Sequence, residues 1–256
     1  MWSSAVSPLS ALGVRFLLLL LGLIGGLWSN STLPTFRSLL AVREVIDRIV
    51  VEDRFKPGVL TNIQVWLDAL SVPLVQHPDV ARAKALVAVR KSQETMAHDG
   101  AVGADLLVEV GEQRVRSTLA QSPADSFLWQ TLYSVATFRG GFAESNIQFL
   151  ELSYAAGPFE GWIASRRSRL ALASFPMLSS RLQGRVIAEF AALVDSDFIE
   201  VAVNNLETVG WAQRESLLSG LKTVDMESKE RLSRRLSADG INVKVPDIEF
   251  DERPWR

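Results

Sequence analysis

The chain has 256 residues, with 27 Lys and Arg against 29 Asp and Glu, and its formal charge of -2 offers no net pull toward nucleic acid or an acidic membrane surface. It contains no cysteine, which excludes disulfides, thiolate metal sites and cysteine nucleophiles together. A hydrophobic fraction of 48% beside 22% charged residues belongs to a folded chain, not a disordered one.

Residues 1–13 form a short flank. Phe16 to Trp28 then read FLLLLLGLIGGLW without a charge, with Arg15 just before them. A membrane-crossing helix needs roughly 20 apolar residues and a cleaved signal peptide about 7 to 15, so two readings stand: an anchor over residues 14–30, or a signal peptide. Leu27-Trp28-Ser29-Asn30-Ser31 lacks the small-x-small pattern of a cleavage site, and Trp28 suits an interfacial anchor, which favours the first. Arg15 and the terminal amine compete with Arg37 and Arg43 under the positive-inside count. The expectation is a single-pass bacterial inner-membrane protein with its long C-terminal part in the periplasm. Gly22 and Gly26 have the G-x-x-x-G spacing that lets two such helices meet as a homodimer; small residues scattered in an apolar run are the plainer reading. Asn30-Ser31-Thr32 matches a glycosylation sequon and is assigned no function.

Residues 31–240 read as helical throughout. Over 37–55, Leu39, Val42, Ile46 and Ile49 recur at spacings of three and four, one apolar helix face. Lys56-Pro57-Gly58 breaks the pattern, and a second helix over 60–70 ends before Pro73. Further helices are expected over 79–96 and 105–119. Pro123 stops the last of these, and Asp125 or Ser126 caps the next, over 125–138. Helices over 143–156, from Trp162 onward, and over 181–194, 197–209, 214–221 and 225–239 follow, the last capped by Asp225 and stopped by Gly240. Residues 241–256 form an extended tail. Ile241, Val243 and Val245 alternate there with polar residues, and Phe250 and Trp255 fit either docking on the domain or recognition of a partner.

Trp162 lies thirty-three residues after Trp129, near the thirty-four-residue period of one helical-repeat class. With Leu132, Phe149 and Gly157-Pro158, the Trp129 region resembles the tetratricopeptide pattern, clearest over residues 124–193. Tyr133 and Arg166 stand where that family has a small residue, which implies wider helix spacing. The resemblance implies an all-α fold: the membrane helix followed by an irregular solenoid of antiparallel hairpins, whose concave face binds a protein partner. Groove-facing positions would be Gln130, Ser134, Thr137 and Arg167.

No catalytic, cofactor or metal site is expected. His77 and His98 are the only histidines and have no further ligands at metal-binding spacing. There is no nucleophile elbow, phosphate loop or dinucleotide fingerprint. Asp195, Asp197 and Glu200, and Glu249, Asp251 and Glu252 in the tail, form acidic clusters at helix starts or loops, where the helix dipole alone favours them. Arg166, Arg167, Arg169, Arg181 and Arg185 form the densest basic group. It reads as a solvated helix face or as a binder of anions.

The expected function is that of a non-enzymatic, membrane-anchored scaffold in an envelope or polysaccharide assembly system. The alternative is binding of an acidic polysaccharide or lipid headgroup through the Arg166 to Arg185 group.

Overall fold

The computed structural model describes the backbone of residues 8–70, 77–99, 101–158 and 160–249. All regular structure among the described residues is helical, eleven α-helices and three short 3₁₀ turns with no strand. The C-terminal alternation at Ile241, Val243 and Val245 therefore forms extended chain, not sheet.

Helix α1 runs unbroken over Pro8–Val50, so the apolar segment and the helix expected over 37–55 are one 43-residue element. Pro34 lies within the helix, where its missing N–H removes one intrahelical bond without ending it. Gly13–Asn30 has a mean hydropathy of 1.5 and none of it is buried; it is long and apolar enough to cross a membrane.

The chain divides into two compact units, with the boundary after Lys91, inside α3. The first holds α1, α2 (Val59–Ala69) and most of α3 (Pro78–Asp99). Val42, Ile46 and Ile49 of α1 are buried at the spacing the sequence announced, together with Leu60 and Leu67 of α2 and Val80 and Leu86 of α3. Polar ties at the margin fix the register: Arg43 Nε donates to Asp79 at 2.8 Å, and Lys91 Nζ to Gln64 at 3.1 Å. Gly58, at φ 81, turns the chain into α2, a conformation that disfavours any side chain with a Cβ. Pro73 lies outside the described residues.

The second unit contains α4 (Ala101–Gln121), α5 (Ser126–Gly140), α6 (Glu144–Ala156), α7 (Gly161–Ala173), α8 (Ser180–Asp195), α9 (Ile199–Thr208), α10 (Arg214–Ser219) and α11 (Met226–Ala238). Its boundaries follow side-chain chemistry. The carboxylates of Asp125 and Asp225 each accept the backbone N–H three residues on, at 3.0 Å, satisfying a donor the first helical turn leaves free. Helices α5 and α6 pack as a hairpin, as do α7 and α8; α5 also packs on α7, α7 on α9, and α11 on α8 and α9. Leu128, Leu132, Leu150, Val186, Phe190 and Leu206 are among its fully buried residues. Residues 241–249 lie against this unit through Val245, which is buried, and through Asp247, whose carboxylate takes the buried Lys229 Nζ at 2.8 Å.

Candidate functional site

The polar centre of the second unit is built by four helices. Arg167, in the middle of α7, is 0% exposed. Its Nε donates to Glu189 Oε1 of α8 at 3.0 Å, and Nη2 donates to the same oxygen. Nη1 donates to the carbonyls of Ser153 and Gly157, at 2.8 and 3.1 Å, so the cation caps the C-terminus of α6, where the helix leaves carbonyls without partners. The guanidinium lies 3.9 Å from the ring centroid of Tyr154. Tyr154 donates its hydroxyl to Glu189 Oε2 at 2.6 Å. Ser126, the first residue of α5, closes the cluster: its hydroxyl donates to Ser153 O at 2.8 Å, and Ser153 Oγ donates back to Ser126 O at 2.9 Å.

Burial pushes the Glu189 carboxyl up from its ordinary value, against the opposing pull of Arg167 and the Tyr154 hydroxyl. Tyr154 is held well above the usual phenol range, first by burial and then by the Glu189 charge beside it. The donors and acceptors named here face one another, which is the arrangement of a structural knot.

This knot corrects two of the groove assignments. Arg167 points inward because Glu189 and the α6 carbonyls satisfy it, and Gln130 is 6% exposed. Ser134 and Thr137 are half-buried, on the same stripe of α5 as Gln130. Sequence reasoning missed Glu189, Tyr154, Ser126 and Ser153. One signal was present: Leu182, Val186, Glu189 and Leu193 are spaced four, three and four apart, so a carboxylate sits on the apolar stripe of α8. A charge at such a position requires a buried partner.

Of the basic group, Arg166 Nη1 donates to Trp162 O at 3.0 Å. Arg169 and Arg181 are exposed and Arg185 half-buried, and none of the three has an ion pair among the described residues. The Asp195, Asp197 and Glu200 cluster is spoken for: Asp197 pairs with Arg231, Glu200 with Arg235, and Asp195 accepts the N–H of Asp225. His77 Nδ1 accepts the N–H of Asp79 at 3.2 Å, a turn contact at the start of α3. No group of three metal-ligating side chains occurs among the described residues. The His98 side chain and Phe250, Asp251, Glu252 and Trp255 lie outside the described residues; Glu249 is exposed.

Compared with known families, with curated proteins and with solved structures, the chain finds no match in any of the three.

Proposed function

We propose that the protein is a membrane-anchored, non-enzymatic scaffold that presents a helical-hairpin surface to a protein partner. The observation that carries this reading is α1. Its apolar stretch Gly13–Asn30 is wholly exposed, and the same helix continues into a packed core at Val42. Fully exposed apolar residues over that length are unfavourable in water and suited to lipid. The packing of α5 on α7 and of α7 on α9 supports an irregular, tetratricopeptide-like stack of hairpins, and such stacks bind partners along one face. Placement of the helical body in a bacterial periplasm, within an envelope or polysaccharide assembly system, belongs to the same proposal.

The test uses the full-length tagged chain, crosslinked in its membrane and recovered beside a Ser134→Glu/Thr137→Glu variant that retains its helical circular dichroism. A partner set captured by the wild type and lost by the variant supports the reading. Recovery of the chain alone in both would overturn it.

A second reading has its own observation, the three arginines on α7 and α8, Arg169, Arg181 and Arg185, without carboxylate partners among the described residues. They suit a polyanion such as an acidic polysaccharide, or an anionic lipid headgroup. Binding of polygalacturonate or of anionic vesicles that weakens with salt and is lost on Arg169→Ala/Arg181→Ala would favour it over the scaffold.

A further inference from the structure

Helix α10 and the C-terminal segment enclose a groove of about 350 Å³, lined by Arg214, Glu215 and Leu218 of the helix and by Val243, Lys244 and Pro246 of the segment. Ligand sites span about 300–1,000 Å³, so the groove has room for one large side chain and its neighbours. Its apolar part is Leu218, which is buried, with Val243 and Pro246, which are half-buried. Its cations are free of carboxylates: Arg214 lies over the Trp211 ring, 5.0 Å from the centroid, and neither it nor Lys244 has an acidic partner among the described residues.

The segment reverses direction at the mouth of this groove. Val245 O accepts the Ile248 N–H at 3.3 Å, with Pro246 second in the turn and Asp247 third at φ 64, the pattern of a type II turn. Two contacts fix its orientation: Val245 is buried, and the Asp247 carboxylate takes the buried Lys229 Nζ of α11 at 2.8 Å. The chain therefore leaves Ile248 heading back beside Lys244 and Val243, the wall of the groove. Helix α11 occupies the other flank of the segment, through Lys229 and through Leu236 O, which accepts the Ile241 N–H at 2.9 Å. The α10 flank, with the groove, is the open one. The sequence that follows, Phe250-Asp251-Glu252-Arg253, carries matching chemistry: a ring for the apolar part, two carboxylates for Arg214 and Lys244, and a cation for Glu215.

We propose that this groove is the docking site of the chain's own residues 250–256, with the Phe250 ring seated between Leu218 and Val243 and the Asp251 and Glu252 carboxylates against Arg214 and Lys244. Register selects Phe250: counting outward from the turn sets Ile248 opposite Val245, Glu249 opposite Lys244 and Phe250 opposite Val243. Docked in this way, the tail closes the groove to any other acidic, aromatic segment, which gains access only by displacing it. The contact uses neither the anchor nor the α5 face invoked for a protein partner, and its failure leaves the scaffold reading standing.

The experiment places nitroxides on the full-length chain in detergent at Ser216→Cys and Arg256→Cys, since the protein has no cysteine of its own. Ser216 is an exposed residue of α10 outside the groove lining. Dipolar spectroscopy is expected to give one narrow distance between the labels. Phe250→Ser, and separately Asp251→Lys/Glu252→Lys, should each replace it by a broad distribution while the helical circular dichroism persists. Adding Arg214→Glu/Lys244→Glu to the charge-reversed tail restores the pairs in exchanged form and should recover the narrow distance. A broad distribution in the parent chain overturns the proposal, and so does a narrow one indifferent to Phe250→Ser. Mixed singly labelled chains test for a second copy, and a distance between them overturns the proposal as well. A fluorescein-labelled peptide of residues 249–256 should bind the Phe250→Ser chain about tenfold or more tighter than the wild type, whose own tail competes at high effective concentration. Equal affinity for the two chains would mean that the tail does not hold the groove.

Discussion

Ser126 and Ser153 exchange hydrogen bonds across the α5–α6 hairpin, each hydroxyl donating to the other's carbonyl oxygen at 2.8 and 2.9 Å. This close approach depends on Gly157. A Cβ added there would lie 2.7 Å from Ser126 Cβ and 2.9 Å from its hydroxyl. Gly157→Ala should therefore destabilise the second unit by about 1–3 kcal/mol through overpacking. The midpoint of urea unfolding at unchanged slope measures it, and an unshifted midpoint would mean that α5 can retreat at little cost.

Arg167 and Glu189 form a buried pair, so losing one partner should cost more than losing both. Arg167→Met leaves the carboxylate alone in the core and is expected to cost about 3–5 kcal/mol. Adding Glu189→Leu removes the stranded charge and should recover much of that loss. A double-mutant cycle decides the matter. Additive losses would show that the pair does not act as a unit.

Tyr154 links this knot to pH. Its phenol is raised well above 10 in the folded chain, while in the unfolded chain it ionises near 10. Above that pH the unfolded state releases a proton that the native state keeps, so the unfolded state binds fewer protons and stability falls with rising pH. Tyr154→Phe should lower stability at neutral pH through the lost bond to Glu189, yet show a flatter decline above about pH 10. Identical alkaline limbs for both proteins would exclude Tyr154 as the source.

The helix boundaries were legible because they rest on local chemistry: Asp125 and Asp225 as caps, Gly240 as a stop, proline at Pro123. Arg167 was not. Its partners Ser126, Ser153, Gly157 and Glu189 come from three other segments, α5, the end of α6 and α8, and nothing within α7 distinguishes it from Arg166 or Arg169 beside it. Helical periodicity places a residue on a face, but the packing of neighbouring hairpins decides whether that face is wet. The length of α1 was not read either: the anchor over 14–30 and the helix expected over 37–55 are joined through Pro34 into one element. The exposed Phe138 and Phe142 were likewise invisible, since an apolar residue at a helix end reads as core until its neighbours are placed.

The C-terminal segment should be held mainly by Val245 and by the tie between Asp247 and Lys229. The Lys229 side chain is 4% exposed and that of Asp247 58%, so the lysine is the group that suffers when the pair is broken. Asp247→Ala is expected to cost about 1–3 kcal/mol, the penalty of a buried donor left without its partner. Hydrogen exchange across residues 241–249 should accelerate before that of α11. Uniform acceleration of the whole unit would show that the segment and α11 open together.

The anchor reading rests on lipid taking up the side chains of Leu17, Leu20, Leu21 and Ile24, all more than 40% exposed. An arginine at the centre of such a span costs about 2.5–3.5 kcal/mol on insertion scales, and two cost more than the segment's modest apolar surplus can offset. Leu20→Arg/Ile24→Arg should move the chain from the membrane pellet to the alkaline carbonate supernatant while the helical signal of the remainder persists. A single substitution at Arg15 to Leu should have the reverse effect, lengthening the apolar run and tightening retention. If the double arginine variant stays in the pellet in dispersed, non-aggregated form, something other than α1 holds the protein to the bilayer.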